Sequence, residues 1–268
     1  MPTIAESFSK IPLGLSNRKK KAHSILNLSS LNNLAPDKFV VQYTKLVGSR
    51  SVKQTMKSQM PKKIVEAGIM AKTVGETRRF LGIEHFRVVI DHEGSIYPFW
   101  KALLISMLRF FTAKVMLGTL DEFRDAETGE LLCWTSTIVK GDTLRGMWFY
   151  QSQRAKRDRL YLWHASLMVS ICRVGMMEGV KWCDTGPSVG EGTKEMKLKF
   201  GFDSKESWRD LCDYDGEFRN DVPSISNLPE AQQIFVSSGA AHDNRPGLGT
   251  HTQKYMKIKE VPEKKKFN

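Results

Sequence analysis

The sequence predicts an α/β protein in which an antiparallel meander is set among helices. Three β-type runs, at about 113–123, 130–139 and 144–150, are joined by turn-forming stretches at 125–129 (Asp-Ala-Glu-Thr-Gly) and 140–143 (Lys-Gly-Asp-Thr). Apolar residues recur at helical spacing before the meander, at Phe99, Leu103, Met107 and Phe110, and after it, at Leu160, Trp163, Leu167, Ile171 and Val174. The second of these helices ends near Gly179 and runs at once into a short strand at 180–184. A helix over about 191–199 follows.

The remaining elements are read in chain order. Residues 1–35 are rich in Ser and Asn and carry the basic run Arg18, Lys19, Lys20, Lys21; they predict a flexible basic segment. No apolar stretch follows a charged start, which argues against a secretory signal. The low acid content leaves an organelle transit peptide open beside a plain basic arm. Pro36 and Asp37 open a helix with Phe39, Val40, Tyr43, Leu46 and Val47 on one side, and Asp37 suits its positive end. A second basic helix runs to about Met60 after a break at Gly48 and Ser49. Thr73 and Glu76 have capping-box spacing and predict a short helix to Leu81, and 85–90 reads as a strand. The run at 96–116, interrupted by Lys101, Arg109 and Lys114, reads as a buried helix leading into a strand, since it is too charged for a membrane span. A strand pair is expected at about 205–220, and residues 221–268 are expected to form a polar basic tail. The domain expected between the basic ends is thus 36–220, with its core at 97–212 and a helical extension at 36–96.

Charge is unevenly distributed over the 268 residues, whose formal net charge is +12. Residues 1–63 hold twelve Lys/Arg against Glu6 and Asp37, a charge of +10. Residues 251–268 hold six Lys against Glu260 and Glu263, a charge of +4, which leaves 64–250 at −2. A nearly neutral body is not itself a strong phosphate-binding surface. Basic ends suit RNA, an acidic lipid surface or an acidic partner, and also suit plain solvation. The four cysteines are widely spaced with no C-x-x-C pair, the usage of an intracellular protein with reduced thiols. The six histidines lack metal-ligand spacing, so no metal is expected.

The segment 97–212 resembles the GNAT acyltransferase superfamily, in particular its FemAB-like aminoacyl-transferase and CelD-type acetyltransferase-like branch. The residues that carry the resemblance are a long helix ending at Gly179, a strand ending in Asp184, Thr185 and Gly186, a lysine four residues before a glycine (Lys197, Gly201), and the aromatic-Gly-Phe closure Phe200, Gly201, Phe202. The resemblance implies a mixed, mostly antiparallel sheet flanked by helices. It also implies a cofactor site where strand 144–150 and strand 180–184 splay apart ahead of the helix from about Leu160. An unbroken ladder between those strands would leave no room for a pantetheine arm. The loop at 151–158 keeps Gln153 and Ala155 of the family's phosphate-binding pattern but none of its glycines. Gln153, Arg154, Lys156 and Arg157 are therefore the expected donor-binding residues, with side chains in place of backbone.

Acyl transfer to an amine needs a path for the amine proton and support for the leaving group. The carboxylate on strand 144–150 and the tyrosine in helix 191–199 that many family members use are absent. Lys197, Asp184 and Tyr150 are the candidate catalytic residues, Lys197 as an oxyanion stabiliser and Asp184 as its orienter or a proton acceptor. Plainer roles stay open: Lys197 as an exposed helix lysine beside Lys194 and Lys199, Asp184 as a turn former, Tyr150 as cleft-edge packing, His164 as a packing histidine. The expected function is transfer of an acyl group from acyl-CoA, acetyl-CoA foremost, or from aminoacyl-tRNA, to an amine on a small molecule, peptide or protein, in the cytoplasm or an organelle. The alternative is a non-catalytic binding or assembly module whose basic ends contact RNA or an acidic partner.

Overall fold

The computed structural model describes residues 23–31, 34, 42–43, 45–47, 50, 54, 59–187, 191–205, 216–219 and 221–228. Their centre is an eight-stranded sheet in the order β2-β3-β4-β5-β6-β1-β7, with β8 paired to β4. The strands are β1 (His23–Asn27), β2 (Ile69–Glu76), β3 (Thr119–Asp125), β4 (Leu131–Lys140), β5 (Thr143–Gln151), β6 (Trp182–Pro187), β7 (Asp203–Lys205) and β8 (Phe218–Arg219). The helices are α1 (Met60–Glu66), α2 (Thr77–Phe80), α3 (Ile83–Gly94), α4 (Phe99–Val115), α5 (Gln153–Arg157), α6 (Leu162–Met176) and α7 (Glu191–Lys199). One apolar cluster joins α6 and α1 to the strands through residues such as Leu144, Met168, Ile171 and Cys183. A second joins α3 and α4 to Leu120, Trp134 and Tyr150.

All pairings are antiparallel except β5 with β6. That parallel ladder covers only Thr143↔Trp182, Leu144↔Cys183 and Arg145↔Asp184. Beyond Arg145, β5 stays with β4 to Gln151, whereas β6 follows β1 to Pro187. A bulge marks the parting: Thr137 faces Gly146 and Ser136 faces Trp148, so Met147 is the extra residue. Bulges increase local twist and bend the strand, which turns β5 away from β6. The order of elements and the splayed parallel pair are those the resemblance implies, and the fold is GNAT-like.

A buried ion pair locks α6 onto the sheet. Arg173, fully buried, donates to both carboxylate oxygens of Asp121 at 2.6 and 2.7 Å, to Thr73 Oγ1 at 3.0 Å and to the Pro223 carbonyl at 2.8 Å. Thr73 in turn donates to Asp121 at 2.8 Å and accepts from the Ile225 N–H at 2.9 Å. This network joins α6, β2, β3 and the segment 221–228 in one polar cluster.

Several sequence expectations are corrected. Thr73 and Glu76 lie within β2, and the Thr73 hydroxyl serves the Arg173 network instead of a helix cap. The run 85–90 belongs to helix α3: His85, Val88, Val89 and Glu93 are buried together at i, i+3, i+4 and i+8, and the Gly82 N–H donates to His85 Nδ1 at 3.1 Å. The first meander strand starts at Thr119 because α4 continues to Val115. Gly118, at φ 157, makes the connection where an added Cβ would meet Ser136 Oγ at 2.7 Å. Helix α4 is not buried all round, since its large apolar side chains face outward. Of the strand pair expected at about 205–220, the described ends are β7 against β1 and β8 against β4, and residues 206–215 and 220 lie outside the described residues.

The flexible segment expected over 1–35 does not extend to β1, which lies between β6 and β7 with Ile25 and Leu26 buried. Nor does the tail begin at 221, because Ile225 and Leu228 are buried in the core. Of the helix expected from Pro36, residues 42–43 and 45–47 are helical. Tyr43 is buried and donates to the Phe200 carbonyl at 2.9 Å, while Leu46 is exposed. Most of the second basic helix, and residues 1–22 and 229–268, lie outside the described residues.

Candidate active site

Where β5 leaves β6, a cavity of about 110 Å³ opens between the strands and α6. Its walls are Thr137, Gly146, Phe149, Ser166, Ser170 and Thr185, with Trp163 among the remaining lining residues. The small side chains explain the space. Gly146 offers no Cβ at the parting, and Ser166 and Ser170, one turn apart on α6, present only hydroxyls; Ser170 returns its own to the Ser166 carbonyl at 3.2 Å.

A larger cavity of about 520 Å³ adjoins it, and Phe149 and Trp163 line both. It is built where α3, α4, α5, α6 and α7 converge. Leu162, Trp163 and His164, the first turn of α6, lie on its wall. The N–H groups of a first turn have no partner within their helix and give that end a partial positive charge. Lys156, Arg159 and Arg109 add cationic side chains, and Glu93 adds a carboxylate. Arg159 and Tyr161 both hold left-handed backbone, at φ 50 and 55, uncommon for residues with side chains. This strained turn sets the angle at which α6 begins.

Burial tunes the charged wall. Glu93 is fully buried; Oε1 takes the Arg109 guanidinium, whereas Oε2 has no hydrogen-bond partner among the described residues. His92 is pushed down to about 4, by burial first and then by Lys156 and Arg109, and its Nδ1 accepts from the Gln151 N–H at 3.3 Å. His164 is pushed down to about 4 by burial, and its Nδ1 has no partner. Both imidazoles are neutral near pH 7. Lys156 is lowered by burial, against the opposing pull of Glu93 and Asp91, and donates to the His92 carbonyl at 3.2 Å and to Ser95 Oγ.

Of the expected donor-binding residues, only Lys156 reaches this cavity. Arg154 turns the other way, to Asp125, Glu130 and Asp158 around the β3–β4 turn. Arg157 is exposed and pairs with Asp158 at 3.0 Å, and Gln153 is exposed at the start of α5.

Of the expected catalytic residues, Lys197 and Asp184 meet at the end of β6, and Tyr150 lies apart from them. Lys197 is buried, not exposed. Its Nζ donates to the carbonyls of Thr185, Gly186 and Pro187 at 3.1, 3.0 and 3.4 Å. Three contacts use the donor capacity of an ammonium, so Lys197 pins the end of β6 where it diverges. Burial lowers it to about 8, while Asp184 pulls it upward. Asp184 is fully buried; Oδ1 accepts from the Gly186 N–H at 2.6 Å, and Oδ2 lies 3.4 Å from Arg145 Nε. It closes the turn in which Gly186 takes φ 69, and so works as a turn former. Tyr150 is buried on the α3/α4 side among His92, Trp134 and Trp148. Burial pushes its phenol well up, and a hydrogen bond with Arg109 opposes this.

Sequence reasoning missed Glu93, Arg109 and Arg159. Glu93 fell just past a segment read as a strand, and Arg109 was counted only as a break in an apolar run. Chemically, the site joins a slim cleft at a strand edge to a larger chamber holding an unpaired carboxylate oxygen, a helix N-terminus and several cations.

Among the described residues, the eight-stranded GNAT-like sheet has its cleft at the parallel β5–β6 pair. No protein-family model matches the chain, and no curated protein does. Solved structures to which the chain is weakly similar include the L-PGS of Bacillus licheniformis, 11% identical over 73% of this chain and 62% of that one, with a TM-score of 0.38. The C-terminal domain of a putative lysylphosphatidylglycerol synthetase from Agrobacterium fabrum is 10% identical over 69% of this chain and 57% of that one, with a TM-score of 0.39. A tandem GNAT protein from the clavulanic acid biosynthesis pathway is 12% identical over 70% of this chain and 51% of that one, with a TM-score of 0.36. The chain thus spans between half and two thirds of the length of these structures.

Proposed function

We propose that the protein is an acyltransferase that moves an acyl group from acyl-CoA, or from aminoacyl-tRNA, to an amine. The observation that carries this reading is the parting of β5 from β6 after Arg145, which opens a slim cleft lined by Gly146, Ser166, Ser170 and Thr185. A linear acyl-bearing arm fits such a strand edge. The donor's anionic end lies in the larger cavity, against the first turn of α6, Lys156 and Arg159. Of the expected set this keeps Lys156, adds Arg159, and leaves out Gln153, Arg154 and Arg157.

The acceptor amine meets the acyl carbon within the cleft, beyond the junction of the two spaces at Phe149 and Trp163. Its nitrogen attacks, a C–N bond forms, and the C–S bond of the thioester (or the C–O bond of an aminoacyl ester) breaks. The amine's surplus proton passes to water, and solvent protonates the leaving group. Arg109 holds Glu93 in place as its ion-pair partner. Lys197 and Asp184 are positioning residues that fix the diverging end of β6.

Calorimetric titration of the full chain with acetyl-CoA and longer acyl-CoA esters tests the reading. A Lys156→Ala/Arg159→Ala chain is expected to bind about tenfold more weakly, or about 1.4 kcal/mol, while Arg154→Ala/Arg157→Ala leaves affinity unchanged. The absence of binding to any CoA ester removes the CoA form of the proposal. A second reading, a non-catalytic module acting through its basic ends on RNA or an acidic partner, draws support from the internal hydrogen bonding of Lys197 and Asp184. Steeply salt-dependent RNA binding without any CoA-ester binding would favour it.

A further inference from the structure

Helix α4 has its amphipathic faces reversed. The residues of its buried stripe are small, Ala102, Ser106 and Ala113; beside them Phe110 packs half-buried against the core, and Arg109 reaches the cavity. The residues turned outward are large and apolar. Trp100 is 78% exposed, Leu104 and Leu108 69%, Phe111 61%, Val115 55% and Met107 43%. On a helix these six fall within an arc of about 100°, directly opposite the buried stripe. Six such side chains in one contiguous arc form a surface that soluble monomers rarely present to water.

The charges on α4 identify what covers it. The helix holds Lys101, Arg109 and Lys114 and no Asp or Glu. Lys101 and Lys114 border the apolar arc on opposite sides. The Lys101 ammonium lies 4.8 Å over the Tyr97 ring, and the Lys114 ammonium donates to the Leu81 carbonyl. Pairing α4 with α4 of a second copy brings cations together with no countercharge on the helix. A surface of anionic lipid headgroups over acyl chains supplies both halves of the complement. No helix is long and apolar enough to cross a membrane among the described residues, so contact through α4 would run along a bilayer surface.

We propose that the outer face of α4 docks the protein on anionic lipid bilayers, inserting Trp100, Leu104, Leu108 and Phe111 below the headgroups. The test is co-sedimentation of the full chain with vesicles of phosphatidylglycerol and phosphatidylcholine, and with phosphatidylcholine alone, paired with light scattering. Wild-type protein is expected to bind the anionic vesicles, with a blue shift in tryptophan emission that is largely absent in Trp100→Phe. The Leu104→Glu/Leu108→Glu chain, altered only at exposed positions, is expected to keep its circular dichroism and to lose at least about tenfold in vesicle partitioning. Unchanged partitioning in that chain assigns binding to the basic ends and overturns the proposal. A wild-type dimer that ignores vesicles, and that the double variant converts to monomers, also overturns it.

Discussion

Lys197 illustrates how a residue with the right identity takes a different role from the one its sequence context suggests. Between Lys194 and Lys199 it reads as solvated or as a catalytic cation, yet it is buried under β6 with three carbonyl partners. Its pKa falls from 10.5 to about 8, so between those values the unfolded chain binds more protons than the folded one. Stability contributed through this group therefore rises as pH increases across about 8 to 10.5. Urea unfolding of wild type and Lys197→Met at about pH 7.5, below the window, and about pH 9.5, inside it, checks this: wild type gains stability relative to the variant at the higher pH. Glu93 shows the opposite difficulty. Its neighbours in sequence gave no sign of a site, because Arg109 and the α6 N-terminus reach it only through the tertiary fold.

At the level of elements, strands were legible where turn chemistry bounded them. β4 and β5 lie close to the expected spans, since the Lys-Gly-Asp-Thr turn fixes their register. Helix α3 was misread because Val88, Val89 and Ile90 suggest a strand, and burial of His85, Val88, Val89 and Glu93 along one face overrides that preference. β1 and the segment 221–228 were hidden for another reason: short pieces gain their burial from distant partners and carry little periodicity. The Arg173 network joins several of these pieces. Arg173→Met leaves Asp121 buried without its cation, and a loss of about 3–5 kcal/mol is expected. Chemical denaturation measures it, and a change below about 1 kcal/mol, the scale of a surface pair, would show that the network contributes little.

Across the whole molecule, the segment from Leu160 to Phe202 conveyed the fold better than the chemistry. Its long helix, the turn at Asp184 and Gly186, and the buried Phe200 and Phe202 all take the places the resemblance implies. The cleft was foreseeable as a splay of two strands, but its chamber was not, because it draws on five helices, three of them outside the segment from Leu160 to Phe202. The account rests on that splay as the seat of the acyl donor. Amide chemical shifts of the full chain, recorded during titration with acetyl-CoA, test it most directly. The account predicts the largest changes at Gly146, Trp148 and Phe149 of β5, at Thr185 of β6 and at the first turn of α6. Saturating acetyl-CoA that leaves those amides unmoved, or shifts only residues elsewhere, would contradict it.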